Sequence, residues 1–109
     1  MYQSSGFVVA VEDRGDRAEI RAVGELDVAA EHRWNAAVAE ARAHPSRLVE
    51  VDLGEVTFID SCGLRMLLEA SSREDANKAE TVRVVKMSRP VERLAELTGL
   101  GEVLVNGAV

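Results

Sequence analysis

Segments of two kinds alternate along this chain, and the alternation constrains its fold more than any other feature. Short runs rich in β-branched apolar residues are followed by longer runs in which apolar residues recur every three or four positions. The first pattern predicts strands and the second predicts amphipathic helices. Strands separated by helices pair largely in parallel, because each helix supplies the crossover between them. We therefore expect an α/β domain with a single mixed β-sheet of four to five strands and helices packed against it.

The first two strands are predicted to form a β-hairpin. Residues 7–11 are apolar, residues 12–16 form a polar turn with a glycine, and polar and apolar residues alternate over 17–23. Two such runs joined by a short glycine-containing turn are typical of a hairpin. The period of two in the second strand indicates that one face of the sheet is exposed to solvent.

A first helix is predicted after Asp27, whose carboxylate can cap the free N–H groups of the first turn. Pro45 ends this helix, because a helix rarely continues through the residue before a proline. The apolar stripe that should face the core consists of Ala30, Trp34, Ala37, Val38 and Ala41.

The centre of the chain predicts a third strand and a second helix. The strand covers residues 48–53, and after a break at a glycine the chain continues in a short extended stretch over 54–59. Ser61 is a candidate N-cap for the helix, which is expected to run to about Asn77.

The C-terminal part predicts one more strand and helix. The strand covers residues 81–86, Ser88 can cap the helix that follows, and Gly99 can end it in a left-handed conformation. Residues 102–105 could form a last short strand.

Length, charge and cysteine content exclude several classes of function. The chain has 109 residues, which suits one domain over 1–109, and its net charge of −6 argues against binding nucleic acid. One Cys and the lack of Cys/His pairs at zinc spacing argue against a disulfide or a structural metal. No apolar run reaches the roughly 20 residues of a membrane span, and the N-terminus does not resemble a secretory signal. We expect a cytoplasmic domain without membrane insertion, metal or cofactor.

Enzymatic activity is not expected. A serine nucleophile needs a base, usually a histidine that a third group orients. The two histidines, His32 and His44, fall on surface or cap positions of the first helix. The sequence contains no phosphate-binding glycine motif and no nucleophile elbow, and nothing marks a pair of facing carboxylates. We therefore predict no catalytic residues.

The turn Asp60-Ser61-Cys62-Gly63 joins the third strand to the second helix, where function tends to gather in α/β domains. Ser61 is either an ordinary N-cap, worth about 1 kcal/mol, or a functional hydroxyl at the positive end of the helix. Gly63 either relieves crowding or lets another backbone approach closely. Cys62 is either a small apolar filler or a thiolate activated by the helix N-terminus.

Four pieces of the chain resemble the STAS domain of bacterial anti-sigma factor antagonists. They are the residues 24–27 (GELD), 51–53 (VDL), 58–64 (FIDSCGL) and 88–100 (SRPVERLAELTGL). The resemblance extends from the hairpin to the end of the chain. It implies a STAS-like fold, and one position departs from the family, because Cys62 stands where Ser or Thr is common.

The resemblance implies a regulatory role in partner switching. In the family, the unphosphorylated protein binds an anti-sigma factor, which is also a serine kinase, and so releases a sigma factor. Phosphorylation of the serine after the aspartate of the turn abolishes binding, and a phosphatase restores it. That serine is Ser61 here, and the aspartate matched by Asp27 belongs to the same surface. We expect a monomer or weak dimer.

The second helix is expected to complete this partner-binding surface. Its members would be Asp27, Asp60, Ser61, Cys62, Gly63, Arg65 and Met66, with Glu69 beside them. Asp27 and Asp60 are equally plausible as cap or turn residues with no binding role. The side of the helix that carries Arg65 and Glu69 could equally be an ordinary solvent-exposed flank.

Two other hypotheses remain open at this point. The chain could be a STAS-type scaffold or signalling module in a stress-sensing complex that does not act on a sigma factor. It could also sense redox state through Cys62, which would require a thiol pKa well below the ordinary value of about 8.5.

Overall fold

Four strands form one mixed sheet in the order β1-β2-β3-β4. The computed structural model describes residues 6–71 and 81–106. The elements are β1 (Phe7–Asp13), β2 (Ala18–Leu26), a 3₁₀ turn (Val28–Ala30), α1 (Glu31–Arg42), β3 (Leu48–Ile59), α2 (Ser61–Ser71), β4 (Thr81–Met87), α3 (Arg89–Thr98) and α4 (Gly101–Asn106). β1 and β2 are antiparallel, whereas β2–β3 and β3–β4 are parallel. The predicted α/β class and single mixed sheet are confirmed.

The predicted hairpin of β1 and β2 is also confirmed. Gly15 in its turn has a φ of +86°, a conformation that favours glycine. The Asp13 carboxylate accepts a hydrogen bond from the Gly15 N–H at 2.8 Å, and the Arg14 N–H donates to the Arg17 carbonyl at 2.9 Å. These bonds close the turn and set the register of the two strands.

One face of the sheet carries the core and the other faces solvent. Ile20 and Val51 on the central strands are at most 1% exposed, and Val84 of β4 is 2% exposed. The opposite face carries charged residues joined across strands, including Glu50, which pairs with Arg17 at 2.7 Å and with Arg83 at 3.4 Å. The period of two therefore separates a buried face from a solvated one, as the sequence predicts.

All five residues of the predicted apolar stripe on α1 are buried. Trp34 is the largest fully buried side chain and lies between the sheet and α2. α2 is described as far as Ser71, so its predicted end at Asn77 lies outside the described residues.

β3 is one continuous strand, so the predicted break after residue 53 is wrong. Its pairing with β2 shifts by one residue between Arg21 and Val23, opposite Gly54. The Gly54 N–H donates to the Asp52 carboxylate at 2.8 Å. The extra residue is accommodated as a β-bulge, which bends a strand without ending it.

α3 begins after Ser88 and ends at Gly99, as predicted. Gly99 has a φ of +73°, and the N–H of Leu100 donates to the Ala95 carbonyl at 3.1 Å. Ser88 occupies the N-cap position, but its side chain makes no capping hydrogen bond. The left-handed glycine therefore ends the helix, while the start depends on backbone geometry and on Pro90 in the first turn.

The predicted last strand over 102–105 is wrong, because this segment forms the helix α4. Leu104 is fully buried, and its N–H donates to the Leu100 carbonyl at 3.3 Å. α4 packs against β4, α2 and α3. A helical turn lets Leu104 fill the core there, and this burial outweighs the weak β-propensity of the valines.

Candidate functional site

The ends of β2 and β3 bring the two predicted aspartates to the same edge of the sheet. Leu26 is paired with Ile59 in the parallel register, so Asp27 and Asp60 follow directly at neighbouring strand ends. Both aspartates are partly buried. In open α/β sheets this carboxyl edge is where binding sites are usually found.

Asp27 caps the turn that leads into α1. Its carboxylate accepts a hydrogen bond from the Ala29 N–H at 3.0 Å. The capped element is the 3₁₀ turn Val28–Ala30, which runs directly into α1 at Glu31. The predicted capping role of Asp27 is therefore confirmed, with a short 3₁₀ turn inserted before the α-helix.

Asp60, and not Ser61, is the residue that caps α2. Its carboxylate accepts from the Gly63 N–H at 2.9 Å, and its carbonyl accepts from the Leu64 N–H at 2.9 Å. α2 begins at Ser61 itself, so the prediction of Ser61 as the N-cap is wrong. Asp and Ser are about equally good N-cap residues, and the end of β3 at Ile59 places Asp60 at the cap.

Ser61 is exposed, and its hydroxyl makes no hydrogen bond with the residues that the structure describes. Because Asp60 satisfies the free N–H groups of the first turn, the hydroxyl of Ser61 is free to face solvent. The hydroxyl therefore lies at the positive end of α2 and is accessible to another protein.

Gly63 lets α2 lie directly on the end of β2. A Cβ at this position would be 2.1 Å from the Leu26 carbonyl oxygen and 2.8 Å from the Ile59 side chain. Gly63 is buried, so its contribution to the surface is indirect. Of the two predicted roles for Gly63, the structure supports relief of crowding, because the atoms that a Cβ would meet belong to the chain's own strands β2 and β3.

Arg65 extends the surface along α2 and links it to α1. Its guanidinium forms ion pairs with Glu69 at 3.1 Å and with Glu31 at 3.4 Å. The hydrogen bond to Glu69, followed by that to Glu31, raises the pKa of the guanidinium above its ordinary value. About half of the side chain, 48%, stays exposed, so Arg65 can still contact a partner.

Met66 does not belong to the exposed surface, which corrects the prediction for this residue. Its side chain is 1% exposed and lies beside Trp34 and Val38 of α1. α2 packs against the sheet, α1 and α4. A single apolar stripe in the sequence predicts only one buried side, so it does not reveal the burial of Met66 against α1. Cys62 is partly buried, while Arg65 and Glu69 remain exposed.

Two apolar residues of this edge were missed by the sequence reasoning. Val28 is 61% exposed beside Asp27, and Phe58 is 47% exposed two residues before Asp60. An alternation counted back from the buried Ile59 would have placed Phe58 on the solvent side. Aromatic residues are enriched at the core of protein–protein interfaces, which a polar rim surrounds.

Neither histidine forms a hydrogen bond with the Ser61 turn within the part of the chain that the structure describes. His44 precedes β3, whereas Ser61 follows its other end, and the His44 ring is bonded to Asp13 at 2.8 Å. His32 is exposed on α1.

Within residues 6–71 and 81–106, no cluster of three or more His, Cys, Asp or Glu side chains could hold a metal ion. None of the described helices is long and apolar enough to cross a membrane.

The arrangement resembles known proteins over nearly its full length. A family model described as "Mlab, STAS domain" matches residues 9–106. The anti-sigma-F factor antagonist RsfA of Mycobacterium tuberculosis is 31% identical over 104 residues, which are 93% of this chain and 80% of that protein.

Solved structures share the fold. An anti-sigma factor antagonist from Mycobacterium paratuberculosis superposes with a TM-score of 0.76 at 22% identity, covering 95% of this chain and 87% of that one. The antagonist SpoIIAA in its unphosphorylated form superposes with a TM-score of 0.70 at 22% identity, covering 94% of this chain and 88% of that one. Bacillus SpoIIAA in the phosphorylated form superposes with a TM-score of 0.65 at 21% identity, covering 94% of this chain and 91% of that one. The resemblance inferred from the sequence is confirmed, and this chain belongs to the STAS domain family, together with these anti-sigma factor antagonists.

Proposed function

We propose that this protein is an anti-sigma factor antagonist whose binding is switched by phosphorylation of Ser61. The observation that carries the proposal is the exposed hydroxyl of Ser61, which has no hydrogen bond to the described residues and lies at the start of α2, where β2 and β3 end side by side. Two findings on similar proteins support the proposal. The mycobacterial relative is an anti-sigma-F factor antagonist, and SpoIIAA has been solved in both an unphosphorylated and a phosphorylated form.

The unphosphorylated chain binds an anti-sigma factor that is also a serine kinase, and so releases a sigma factor. The exposed and partly buried residues of the α2 edge supply the contacts. They are Asp27, Val28, Phe58, Asp60, Ser61, Cys62 and Arg65. Gly63 contributes by holding α2 against β2.

Phosphorylation ends this binding by adding charge in the middle of the surface. The Ser61 Oγ takes the γ-phosphoryl group of ATP held by the kinase, its proton is released, and ADP leaves. The new group carries about −1.5 to −2 charges and lies beside two carboxylates, Asp27 and Asp60. A partner surface that accommodated a neutral hydroxyl would have to desolvate this dianion, and each 1.4 kcal/mol of that cost weakens binding about tenfold. A phosphatase restores the hydroxyl, and the chain itself performs no catalysis.

The test compares the binding of three Ser61 variants to the anti-sigma factor kinase by isothermal titration calorimetry. Ser61→Ala should bind within about threefold of the wild type, and Ser61→Asp should bind at least about tenfold more weakly. Ser61→Asn is the matched control, because it has the size of Asp without its charge. Equal affinities for all of them would remove Ser61 from the switch, and a wild type that does not bind would refute the proposed function.

A phosphopeptide experiment tests the acceptor directly. Incubation with the kinase and ATP should place one phosphate on the peptide that contains Ser61, and the Ser61→Ala variant should remain unmodified. A phosphate on any other residue would contradict the assignment.

A further inference from the structure

A groove lies between α3 and the end of β3, next to the Ser61 turn. Its volume is about 430 Å³. The residues that line it are Ile59, Arg89, Pro90, Arg93, Leu94 and Leu97. Because Ile59 directly precedes Asp60 and Ser61, the groove adjoins the proposed partner-binding surface.

The apolar part of the groove is accessible. Leu97 is 77% exposed, which makes it the most exposed large apolar side chain among the described residues. Leu94 and Pro90 are partly buried and border the same groove. A single exposed leucine is ordinary, but one that borders an apolar groove beside a binding surface offers an anchoring position.

The charged part of the groove consists of two arginines without ion-pair partners. Arg89 and Arg93 are four residues apart on α3, so they lie on one side of the helix. Both are exposed, and no carboxylate of the described residues lies within ion-pair distance of either. Glu92 of the same helix lines a different cavity, against β4. A chain with a net charge of −6 therefore presents a local cationic site with an apolar floor.

We propose that this groove binds an acidic, apolar segment of the anti-sigma factor. Carboxylates of that segment pair with Arg89 and Arg93, since a guanidinium matches a carboxylate in geometry and charge. An apolar side chain of the segment covers Leu97. This inference rests on the proposed function for the identity of the partner, while the chemistry of the ligand follows from the groove.

The groove also orients the partner. The surface around Asp27 and Asp60 is acidic, and the groove on α3 is basic. A partner with the complementary arrangement docks in only one direction, because the reversed orientation places like charges against each other. Phosphorylation of Ser61 leaves the groove unchanged, so it acts on one part of a two-part interface.

The first experiment measures the affinity of the anti-sigma factor for the double variant Arg89→Glu/Arg93→Glu. We expect it to weaken at least about tenfold, with the difference decreasing at high salt. Arg47→Glu is the matched control. Arg47 is also exposed and forms no ion pair with the described residues, but it precedes β3, at the opposite end of that strand. This variant should bind within about twofold of the wild type. Leu97→Ser should weaken binding by about threefold or more. A double variant that folds, as judged by circular dichroism, and binds like the wild type overturns the proposal.

The second experiment does not depend on the anti-sigma factor. A fluorescein-labelled peptide of alternating Glu and Leu residues is titrated with the wild-type protein, and its counterpart with Lys in place of Glu serves as the control. We expect saturable binding of the acidic peptide only, lost in the double variant. No binding at concentrations up to about 1 mM overturns the proposal. If the wild type does not bind the anti-sigma factor at all, the proposed function fails, and the peptide result alone decides what the groove recognises.

Discussion

Gly63 determines how closely the first turn of α2 approaches β2. A Cβ added to Gly63 would lie 2.1 Å from the Leu26 carbonyl oxygen, which is a backbone atom and cannot rotate away. Asp27 follows that carbonyl, and Ser61 begins the helix that lies on it. The separation between Asp27 and the Ser61 hydroxyl therefore depends on a residue that contributes no side chain.

We expect Gly63→Ala to destabilise the fold by about 2–3 kcal/mol, because α2 has to move away from β2 to make room for the methyl group. The measurement is urea unfolding followed by circular dichroism. Partner affinity should fall as well, since the shift of α2 displaces Ser61 relative to Asp27.

Gly101→Ala is the matched control for this substitution. A Cβ on Gly101 would lie 3.8 Å from the Ala95 side chain, an ordinary contact, and Gly101 begins the helix α4. We expect a change between zero and a stabilisation of about 1 kcal/mol. Equal effects of the two substitutions would show that the close approach at Gly63 has no special cost.

Asp60 illustrates the limit of prediction at single residues. The sequence places two good N-cap residues, Asp60 and Ser61, side by side, and propensity does not distinguish them. The choice depends on where β3 stops, which its register with β2 decides. Asp27 has no such competitor beside it, and its capping role could be predicted.

At the level of elements, α2 is covered by the sheet, α1 and α4. Leu64 and Leu67 are in the core, as the helical period predicts, while Met66 lies against α1 beside Trp34. The exposed part of α2 is consequently a narrow strip of residues four apart, Ser61, Arg65 and Glu69, with Arg65 held between carboxylates of α1 and α2.

This arrangement predicts different effects of two Met66 substitutions. Met66→Ala should cost about 2–5 kcal/mol in unfolding free energy, because it leaves a cavity between α1 and α2. Met66→Leu keeps the volume and should cost less than about 1.5 kcal/mol. Both are measured by chemical denaturation.

The partner affinity of Met66→Leu separates burial from a role in docking. A buried residue that is replaced by one of similar volume leaves the surface unchanged, so the affinity should equal that of the wild type. A clear loss of affinity in a variant of normal stability would contradict this and show that Met66 contributes to partner binding.

The order of elements was predictable from the sequence, and the last element was not. Hydrophobic periods of two and of three to four indicated the hairpin, the parallel strands and three helices. The segment 102–105 is too short for a period to distinguish strand from helix, and Leu104 is buried by contacts with β4 and α2 that are distant in sequence. The bulge at Gly54 likewise depends on pairing with β2.

At the scale of the whole molecule, charge is distributed unevenly. The open face of the sheet has cross-strand ion pairs, among them Arg17–Glu50, that neutralise one another locally. The carboxyl edge of the sheet has aspartates with no cation paired to them among the described residues, and α3 has arginines without carboxylates. The molecule therefore has one acidic and one basic site, although its net charge is −6. Charge complementarity between such sites and a partner determines specificity and association rate more than total affinity.

Phosphorylation of Ser61 should alter the partner surface without unfolding the molecule. The phosphate lies at the positive end of α2, an interaction worth about 0.3–1 kcal/mol, and this offsets repulsion from Asp27 and Asp60. We expect the melting temperature of the phosphorylated protein to lie within about 5 °C of the unmodified one, measured by calorimetry.

The opposite mechanism, in which phosphorylation melts α2 and destroys the surface, makes a distinct prediction. The helix signal in circular dichroism would fall, and the acidic peptide proposed for the groove on α3 would also lose affinity, because that groove borders the end of β3 where α2 begins. A purely electrostatic switch leaves the helix signal intact and abolishes binding of the anti-sigma factor. It also keeps saturable binding of the acidic peptide at Arg89 and Arg93, weakened only by repulsion between the phosphate and the peptide, and raising the salt concentration restores that loss. Measuring both ligands on the same phosphorylated sample therefore distinguishes a local change of charge from a change of fold.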